Sequence, residues 1–583
     1  MANNSRVGVN VGGLRPRRNV FDLSYRTNFT CDIGQLIPVF CEEVVPGDYF
    51  KIGAEMVIRF QPLAAPIMHE LRGHIHYFFV PKRLEYGTTN EEKNLWEEFI
   101  SQGDLTSEDL PIQLPVFDRA ISEPAVRDLG TLWDYFGFPV TREAIHDPNN
   151  VMVPLDTPWR VYNKVYNEYY RDQDLQSEVG DGIVRYPDGH PNAGERIPIN
   201  PYVLNRNWAK DYFTAARPWR YKGDLPALPV DMSFSWDNLT SNISARVGLR
   251  NNPADGFEAL AYNVLSTSNI QPDASTSQPI GTRFERASDS LPANTIAQGS
   301  NFAVSYNDIG NNLIRGLNAQ STTFDVSDLR LAFQTQKWLE RNARGGTRYT
   351  EFLRSHFGVS PSDARLDRPE YIGGVKVPIM INEVLQTSQT VSEQSMLGQM
   401  GGHGLAADGQ YVGEYNVQEY GTIIGIMSVL PKPQYQQGIN RQWLRRLPTD
   451  FYFPEFARLS EQAIYVGEIY SDWGRSDPWR EFGFTGQYDE MRVKYDKVCG
   501  EMRIINDPNM LNQRNPLLSY WNMARWFNSK PLLNSTFITC DPNERKDVFH
   551  VRNKPGLIVN VQNNVRATRP LPAIADPGLI DHY

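Results

Sequence analysis

The residues best suited to chemistry in this 583-residue sequence are three histidines, in the run His69-Glu70-Leu71-Arg72-Gly73-His74-Ile75-His76. On a strand, positions two apart share a face, so the imidazoles of His74 and His76 could chelate one divalent ion. Such a pair needs a further ligand close by, and Tyr77-Phe78-Phe79-Val80-Pro81-Lys82 offers no carboxylate. The expectation is that these histidines hydrogen-bond within a sheet or at a subunit contact, and that the protein holds no metal and no cofactor. Glu91/Glu92 and Glu97/Glu98 are adjacent acids, but neighbours on a helix do not share a face, so neither is an acid–base pair. No Gly-x-Ser-x-Gly elbow, phosphate loop, dinucleotide fingerprint or His-Glu-x-x-His occurs. Gly401-Gly402-His403-Gly404 follows no clear strand and opens no helix, and reads as a mobile loop.

A second kind of chemistry is phosphate neutralisation. The first 21 residues carry Arg6, Arg15, Arg17 and Arg18 and no acid, in a chain of net charge −10. Four guanidiniums on a Gly/Asn-rich arm suit a phosphate backbone, each contact releasing condensed counterions, and equally suit a solvated terminus. Aromatic residues interleave with cations at Trp219-Arg220-Tyr221-Lys222, at Arg525-Trp526-Phe527 and from Arg445 to Phe453. Such mixtures stack bases in single-stranded nucleic acid, and they also build subunit interfaces.

The elements that must position these groups alternate in character. Leu71, Gly73, Ile75, Tyr77 and Phe79 fall on one face of a strand, and similar strands read at Gly53–Phe60, Tyr420–Leu430, Met491–Ile505, Asp547–Val551 and Gly556–Val561. Between them, Thr89-x-x-Glu92 is a capping box ahead of Leu95, Trp96, Phe99 and Ile100, and Thr157-Pro158 marks an N-cap and first helical turn. Two further helices run from Ser327 to about Ala343 and from Tyr349 to His356, each followed by glycine. Residues 264–323 are rich in Ser, Asn, Thr, Gln and Ala, contain no Lys, Trp, Met, His or Cys, and read as a linker or a surface excursion.

Composition sets the outer bounds. With 40% hydrophobic and 22% charged residues the chain is globular. The opening residues lack a signal-peptide core and no stretch is long and apolar enough to span a membrane, so the expectation is a soluble protein working where it is made. Four cysteines without metal-ligand spacing fit thiols kept reduced in a cytoplasm. Nothing in this reading points to an enzyme.

Whole segments carry a stronger signal. FDLSYRTNFTCDIGQLIPVFCEEVVPGDYFKI, PIMHELRGHIHYFFVPKRL with WEEFI after it, YNEYYRDQ, NWAKDYFTAARPW, LERNARGGTRYTEFLRSHFG, SDARLDRPEYIGG and WNMARWF together span Phe21 to Phe527. They resemble the major capsid proteins of the microviruses, the small icosahedral single-stranded-DNA bacteriophages, and of their gokushovirus branch in particular.

The resemblance implies an all-β core with helical insertions: an eight-stranded viral jelly-roll β-sandwich with long inter-strand loops, forming pentamers and then a closed T=1 icosahedral shell. It further implies a circular single-stranded DNA genome, a small basic DNA-binding protein and a pilot protein inside, an internal scaffolding protein, a host surface receptor, and assembly in a bacterial cytoplasm. On this reading residues 1–21 form an arm facing DNA through Arg6, Arg15, Arg17 and Arg18. Residues 22–583 form one capsid domain, with a helical insertion at about 85–225 and a threefold, host-attaching protrusion at about 264–323.

Overall fold

The computed structural model describes residues 18–63, 65–87, 94–101, 113–118, 123–141, 143, 152–187, 189–223, 234–235, 246–248, 259–261, 318–319, 326–385, 400–458, 461–471, 477–504, 520–544 and 546–574. Period-two alternation of apolar side chains generates the main strands: β1 (Asn19–Asp22), β2 (Tyr25–Cys31), β3 (Ile37–Val44), β4 (Tyr49–Phe60) and β5 (Leu71–Pro81). After a long excursion come β6 (Glu370–Leu385), β7 (Met400–Asn416) and β8 (Gly421–Pro431); a hairpin of β9 (Glu461–Tyr465) and β10 (Glu481–Gly486) follows, then β11 (Leu557–Arg569).

All main pairings are antiparallel, and the strand order is β1/β2–β11–β4–β7–β6–β5–β8–β3. Residues Glu370–Ile379 of β6 pair with β5, whereas Met380–Leu385 pair with β7, so β6 passes from one sheet to the other. The first sheet is therefore β1/β2, β11, β4 and β7, and the second is β6, β5, β8 and β3. β1 and β2 are one strand position broken at Leu23-Ser24: both pair with β11, and the Ser24 hydroxyl accepts the Val565 N–H at 3.0 Å across the break. This is the eight-position jelly roll, an all-β core with helical insertions.

The sandwich core takes alternate residues from each sheet, among them Phe50, Ile52, Met56 and Ile58 of β4, Ile75 and Tyr77 of β5, and Val559, Val561 and Val565 of β11. Each such side chain contributes roughly 1.5–3 kcal/mol of burial. A polar link crosses this core. Tyr77 Oη donates to Asn563 Oδ1 at 2.6 Å, and Asn563 Nδ2 donates to the Val39 carbonyl at 2.9 Å, tying β5, β11 and β3 together.

The connection from β5 to β6 supplies the helices α1 (Lys82–Tyr86), α2 (Leu95–Ser101), α3 (Thr157–Val165), α4 (Val326–Gly345) and α5 (Tyr349–Phe357). A second apolar cluster packs Trp133, Trp159, Tyr162 and Tyr166 against Leu36 of the β2–β3 connection and against Phe78, Val80, Ile424 and Ile426, on the outer face of the second sheet. A third gathers Tyr212, Phe213, Tyr435, Ile464, Phe482 and Phe537 around the β9–β10 hairpin. The chain divides into two compact units, residues 1–223 with 339–583, and residues 224–338. The smaller contains two short ladders, Phe234–Ser235 with Asn318–Ala319 and Arg246–Gly248 with Ala259–Ala261, and the first part of α4.

Several sequence expectations change. The strand expected at Met491–Ile505 does not form over its described residues 491–504: the helical turn Asp489–Arg492 runs into it, and a two-residue bridge at Asp496–Lys497 and a 3₁₀ turn at Gly500–Met502 follow, where Gly500 has φ +68°. Asp547–Val551 is likewise a 3₁₀ turn at Lys546–Val548 followed by irregular chain. Gly401–Gly404 is no loop, because it lies in β7 and pairs with Ile381–Val384. The Thr89 capping box lies outside the described residues, and for α2 the Asn94 carboxamide accepts the Trp96 N–H at 3.1 Å. In α3 the helix starts at Thr157 itself, whose hydroxyl bonds Tyr86 Oη instead of capping.

Candidate nucleic-acid interface

Of the four arm residues, Arg6, Arg15 and Arg17 lie outside the described residues. Arg18 is exposed at the root of β1, beside the turn at Gly47, whose φ of +93° only glycine adopts freely. It shares that corner with Arg569, whose Nε lies 3.3 Å from the buried carboxylate of Asp48. Burial raises the Asp48 pKa, while the Val45 N–H, Arg569 and Arg18 pull it back.

The three cation-aromatic motifs separate. Arg525 is buried, its guanidinium 4.4 Å from the Phe537 ring centroid and 5.0 Å from that of Trp208, with Glu544 at 3.4 Å. It is a core clasp, and neither a base platform nor an interface. Lys222 is committed to Asp174 at 3.2 Å. The segment around Arg445–Phe453 does present aromatic surface: Trp443 is 74% exposed, and Phe451, Tyr452 and Phe453 are exposed beside it.

A cleft of about 690 Å³ opens on the outer face of the second sheet. Its floor is the outward row of β5, Arg72, His74, His76 and Phe78, the row on which the sequence placed the paired histidines. β6 adds Tyr371 and Lys376, the end of β8 adds Leu430 and Pro431, and Lys432 follows. One wall is Tyr169 and Tyr170, delivered by a π turn in which Arg171 N–H bonds the Tyr166 carbonyl at 2.9 Å and widens the end of α3. Beside it runs the segment Arg206–Lys210, joined to it by Asn207 Nδ2 donating to the Tyr170 carbonyl at 3.0 Å and pinned by Arg206 N–H to Gly34 O at 2.7 Å and Cys540 N–H to Arg206 O at 2.9 Å. A Cβ on Gly374 would lie 2.7 Å from Tyr371 Oη and 2.9 Å from His76, so glycine lets these rings close over the floor.

The lining holds five lysines and arginines against the single carboxylate of Glu70. Glu70 pairs with Arg72, Lys432 lies 2.9 Å from Asp496, and Lys210 lies 2.6 Å from Asp172. Arg206 is different. Its Nη1 donates to Ser428 Oγ at 2.8 Å, its guanidinium lies 5.8 Å from the Tyr170 ring centroid, and burial lowers its pKa. Among the described residues neither Arg206 nor Lys376 has a carboxylate within ion-pair distance.

His76 Nδ1 meets Tyr170 Oη at 2.9 Å, and the His74 and His76 rings are 5.9 Å apart. Burial first, then the charge of Arg206, depresses His74 to about 3 and His76 to about 4, so both imidazoles are neutral at pH 7. Among the described residues no group of three His, Cys, Asp or Glu could hold a metal ion. The cleft as a whole escaped sequence reasoning because its lining comes from segments far apart in the chain.

A jelly roll that closes its sheets through a strand shared between them, wrapped in long insertions, is the class of fold from which viral shells are built. Comparison with known proteins gives the particular family. The model for the capsid protein (F protein) family matches residues 9–579, and the chain belongs to that family. It is 30% identical to the capsid protein VP1 of Chlamydia phage 1, over 97% of this chain and 96% of that protein. With the capsid protein VP1 of Bdellovibrio phage phiMH2K the identity is 29%, over 98% and 97%, and with that of Spiroplasma virus 4 it is 28%, over 96% and 95%. The resemblance to gokushovirus major capsid proteins is thereby borne out, and the protein is a major capsid protein of a small phage.

Proposed function

We propose that this chain assembles with copies of itself, through pentamers, into a T=1 icosahedral shell around a circular single-stranded DNA genome, and performs no catalysis. The observation that carries the reading is the family match, which runs through both sheets of the jelly roll and all of its insertions. A finite shell needs self-complementary edges on every side and a rotation that closes. The exposed aromatic surface around Trp443 and Phe451–Phe453 suits such an edge.

In this reading residues 1–21 are an arm that meets DNA through Arg6, Arg15, Arg17 and Arg18. The root of the arm at Arg18 is exposed and tied to the sandwich through β1, so many copies would present their guanidiniums at equivalent places. Residues 22–583 are the capsid domain, with helices over about 85–225 covering one sheet and about 264–323 as a protrusion toward the host receptor. A small basic DNA-binding protein, a pilot protein and an internal scaffolding protein are the expected partners during assembly in the bacterial cytoplasm.

Particles isolated from infected cells are expected to sediment as closed shells carrying nuclease-protected single-stranded DNA; a stable monomer there would overturn the reading. Deleting residues 1–18 is expected to leave shells intact while lowering the DNA retained at raised salt. Unchanged retention would remove the arm from the DNA contacts.

A further inference from the structure

We propose that neighbouring copies of this chain join head to tail, the exposed aromatic surface around Trp443 on one copy seating on an acidic, apolar surface within residues 113–155 of the next. The inference rests on the capsid reading and deepens it by naming both halves of one contact.

The first half is exposed yet firmly held. The Asp450 carboxylate accepts the Arg446 and Leu447 N–H groups, both at 2.8 Å, and Tyr488 Oη donates to the Phe451 carbonyl at 3.0 Å. Tyr488 N–H in turn bonds Gln462 Oε1 of β9 at 3.2 Å, so the loop is fixed to the hairpin. Trp443, Leu447, Phe451 and Tyr452 are thereby held out toward solvent on a braced backbone, which keeps the entropy cost of docking low. An exposed apolar patch of this kind marks a contact surface, and tryptophan, tyrosine and arginine are the residues that carry most interface energy. Residues 440–449 hold three arginines and no acid. The Arg446 guanidinium lies 5.2 Å from the Trp479 ring centroid, Arg480 follows that ring, and among the described residues neither arginine has a carboxylate within ion-pair distance.

The second half lies over the second apolar cluster. Val116 and Leu155 form an antiparallel bridge, the Phe117 and Trp133 rings are 6.4 Å apart, and Thr141 N–H bonds the Arg127 carbonyl at 3.2 Å, which gathers these stretches into one surface. Leu129 is 69% exposed there, and Val116, Val140 and Leu155 are exposed too. Residues 113–155 carry six acids against three arginines. Of those arginines Arg127 is buried, with Nη2 donating to the Glu143 carbonyl at 3.0 Å. Cations among aromatics on one surface thus face carboxylates among aliphatics on the other, the complementarity that selects a partner and fixes its register.

The pairing must be between copies, because both surfaces are exposed within one chain. Either surface set against itself across a twofold axis would bring like charges together near that axis. Two different surfaces in contact make a heterologous joint, which closes into a ring when the rotation divides the circle, and the pentamer is such a ring.

The test uses the full-length chain in cells that produce shells, with yield read by sedimentation. Arg446→Glu with Arg480→Glu is expected to lower the yield about tenfold, and Asp118→Lys with Glu143→Lys to do the same. All four side chains are exposed, so the melting temperature of the soluble subunits is expected to stay at its wild-type value. Combining the four is expected to bring back most of the yield. Wild-type yield in both pairs, or folded subunits in which the four together rescue nothing, would overturn the contact.

A photocrosslinking amino acid in place of Trp443, in an otherwise unaltered chain, reads the contact without charge reversal. In shells assembled from isotopically light and heavy chains, mixed-isotope adducts are expected on peptides between 113 and 155. Adducts on the Trp443 surface of the other copy would mean a twofold contact, and adducts confined to other peptides a different partner surface; either overturns the proposal. Absence of closed shells from the wild-type chain would refute the capsid reading itself, whereas closed shells at full yield in the reversal variants refute only this contact.

Discussion

The two sheets of the sandwich share one core but treat their outer faces in opposite ways. In β11, of the first sheet, burial alternates: Val559, Val561, Asn563 and Val565 point inward, while Ile558, Asn564 and Arg566 are exposed. In β8, of the second sheet, every residue from Gly421 to Pro431 is buried. The cause is the chain between β5 and β6, whose helices lay Trp159, Tyr162 and Tyr166 over Phe78, Val80, Ile424 and Ile426. The bare sheet meets its surroundings with short polar ladders, Arg26 to Gln562 at 3.0 Å and Asn564 to Glu55 at 3.0 Å. One sheet can therefore tolerate many surface exchanges, while the other is a middle layer whose outward residues are core, except where the cover stops and leaves the cleft.

That contrast can be broken most directly at Trp159. It is fully buried, stacked on Phe117 at 3.9 Å and close to Trp133, Phe136 and Phe138. Trp159→Ala is expected to cost about 3–5 kcal/mol, read as a lowered denaturation midpoint of released subunits. A loss below about 1 kcal/mol would mean that the helices merely rest on the sheet.

Next in size is the polar link between the sheets. Tyr77→Phe leaves Asn563 Oδ1 in the core without its donor and is expected to cost about 1–3 kcal/mol, with little change in the shape of the unfolding transition. A neutral result would show that water reaches Asn563.

A smaller effect belongs to Glu85, fully buried in α1 with Lys82 Nζ at 3.0 Å. Burial raises its pKa from 4.5 to about 7, against the opposing pull of Lys82. Between those values the folded chain holds a proton that the unfolded chain has released. The stability from this group is therefore complete below pH 4.5 and is lost as pH rises through about 7. Glu85→Gln is expected to flatten stability across that window; an unchanged pH profile would remove Glu85 as its source. The smallest effect is expected on the bare sheet, where Asn560→Ala should stay within about 0.5 kcal/mol.

The contrast also explains which features were legible in sequence. β5 announced itself because Leu71, Gly73, Ile75, Tyr77 and Phe79 alternate with polar partners, and α3 because a proline in the first turn and an apolar stripe coincide. Met491–Ile505 misled because its apolar residues also alternate; positive φ at Tyr488, just before it, and at Gly500, within it, turns the chain. Arg525-Trp526-Phe527 read equally as a surface for bases and as a subunit interface, but a guanidinium ringed by Trp208, Phe527 and Phe537 is also a way to bury a charge. The histidine pair was visible as a pair. Its neighbours Arg206 and Tyr371 were not, since only the sheet pairing and the π turn bring them to it.

The pairing of β11 with β1, β2 and β4 has a consequence for synthesis. Asn19 and Leu571 are hydrogen-bonded although 552 positions apart, so the strand that completes the first sheet leaves the ribosome long after the strands it pairs with. At ordinary elongation rates the early strands wait roughly half a minute to two minutes with their edges open. Until β11 arrives, a nascent chain lacks the closed sandwich from which its assembly edges project. The waiting edges are where a chaperone would have the most to protect.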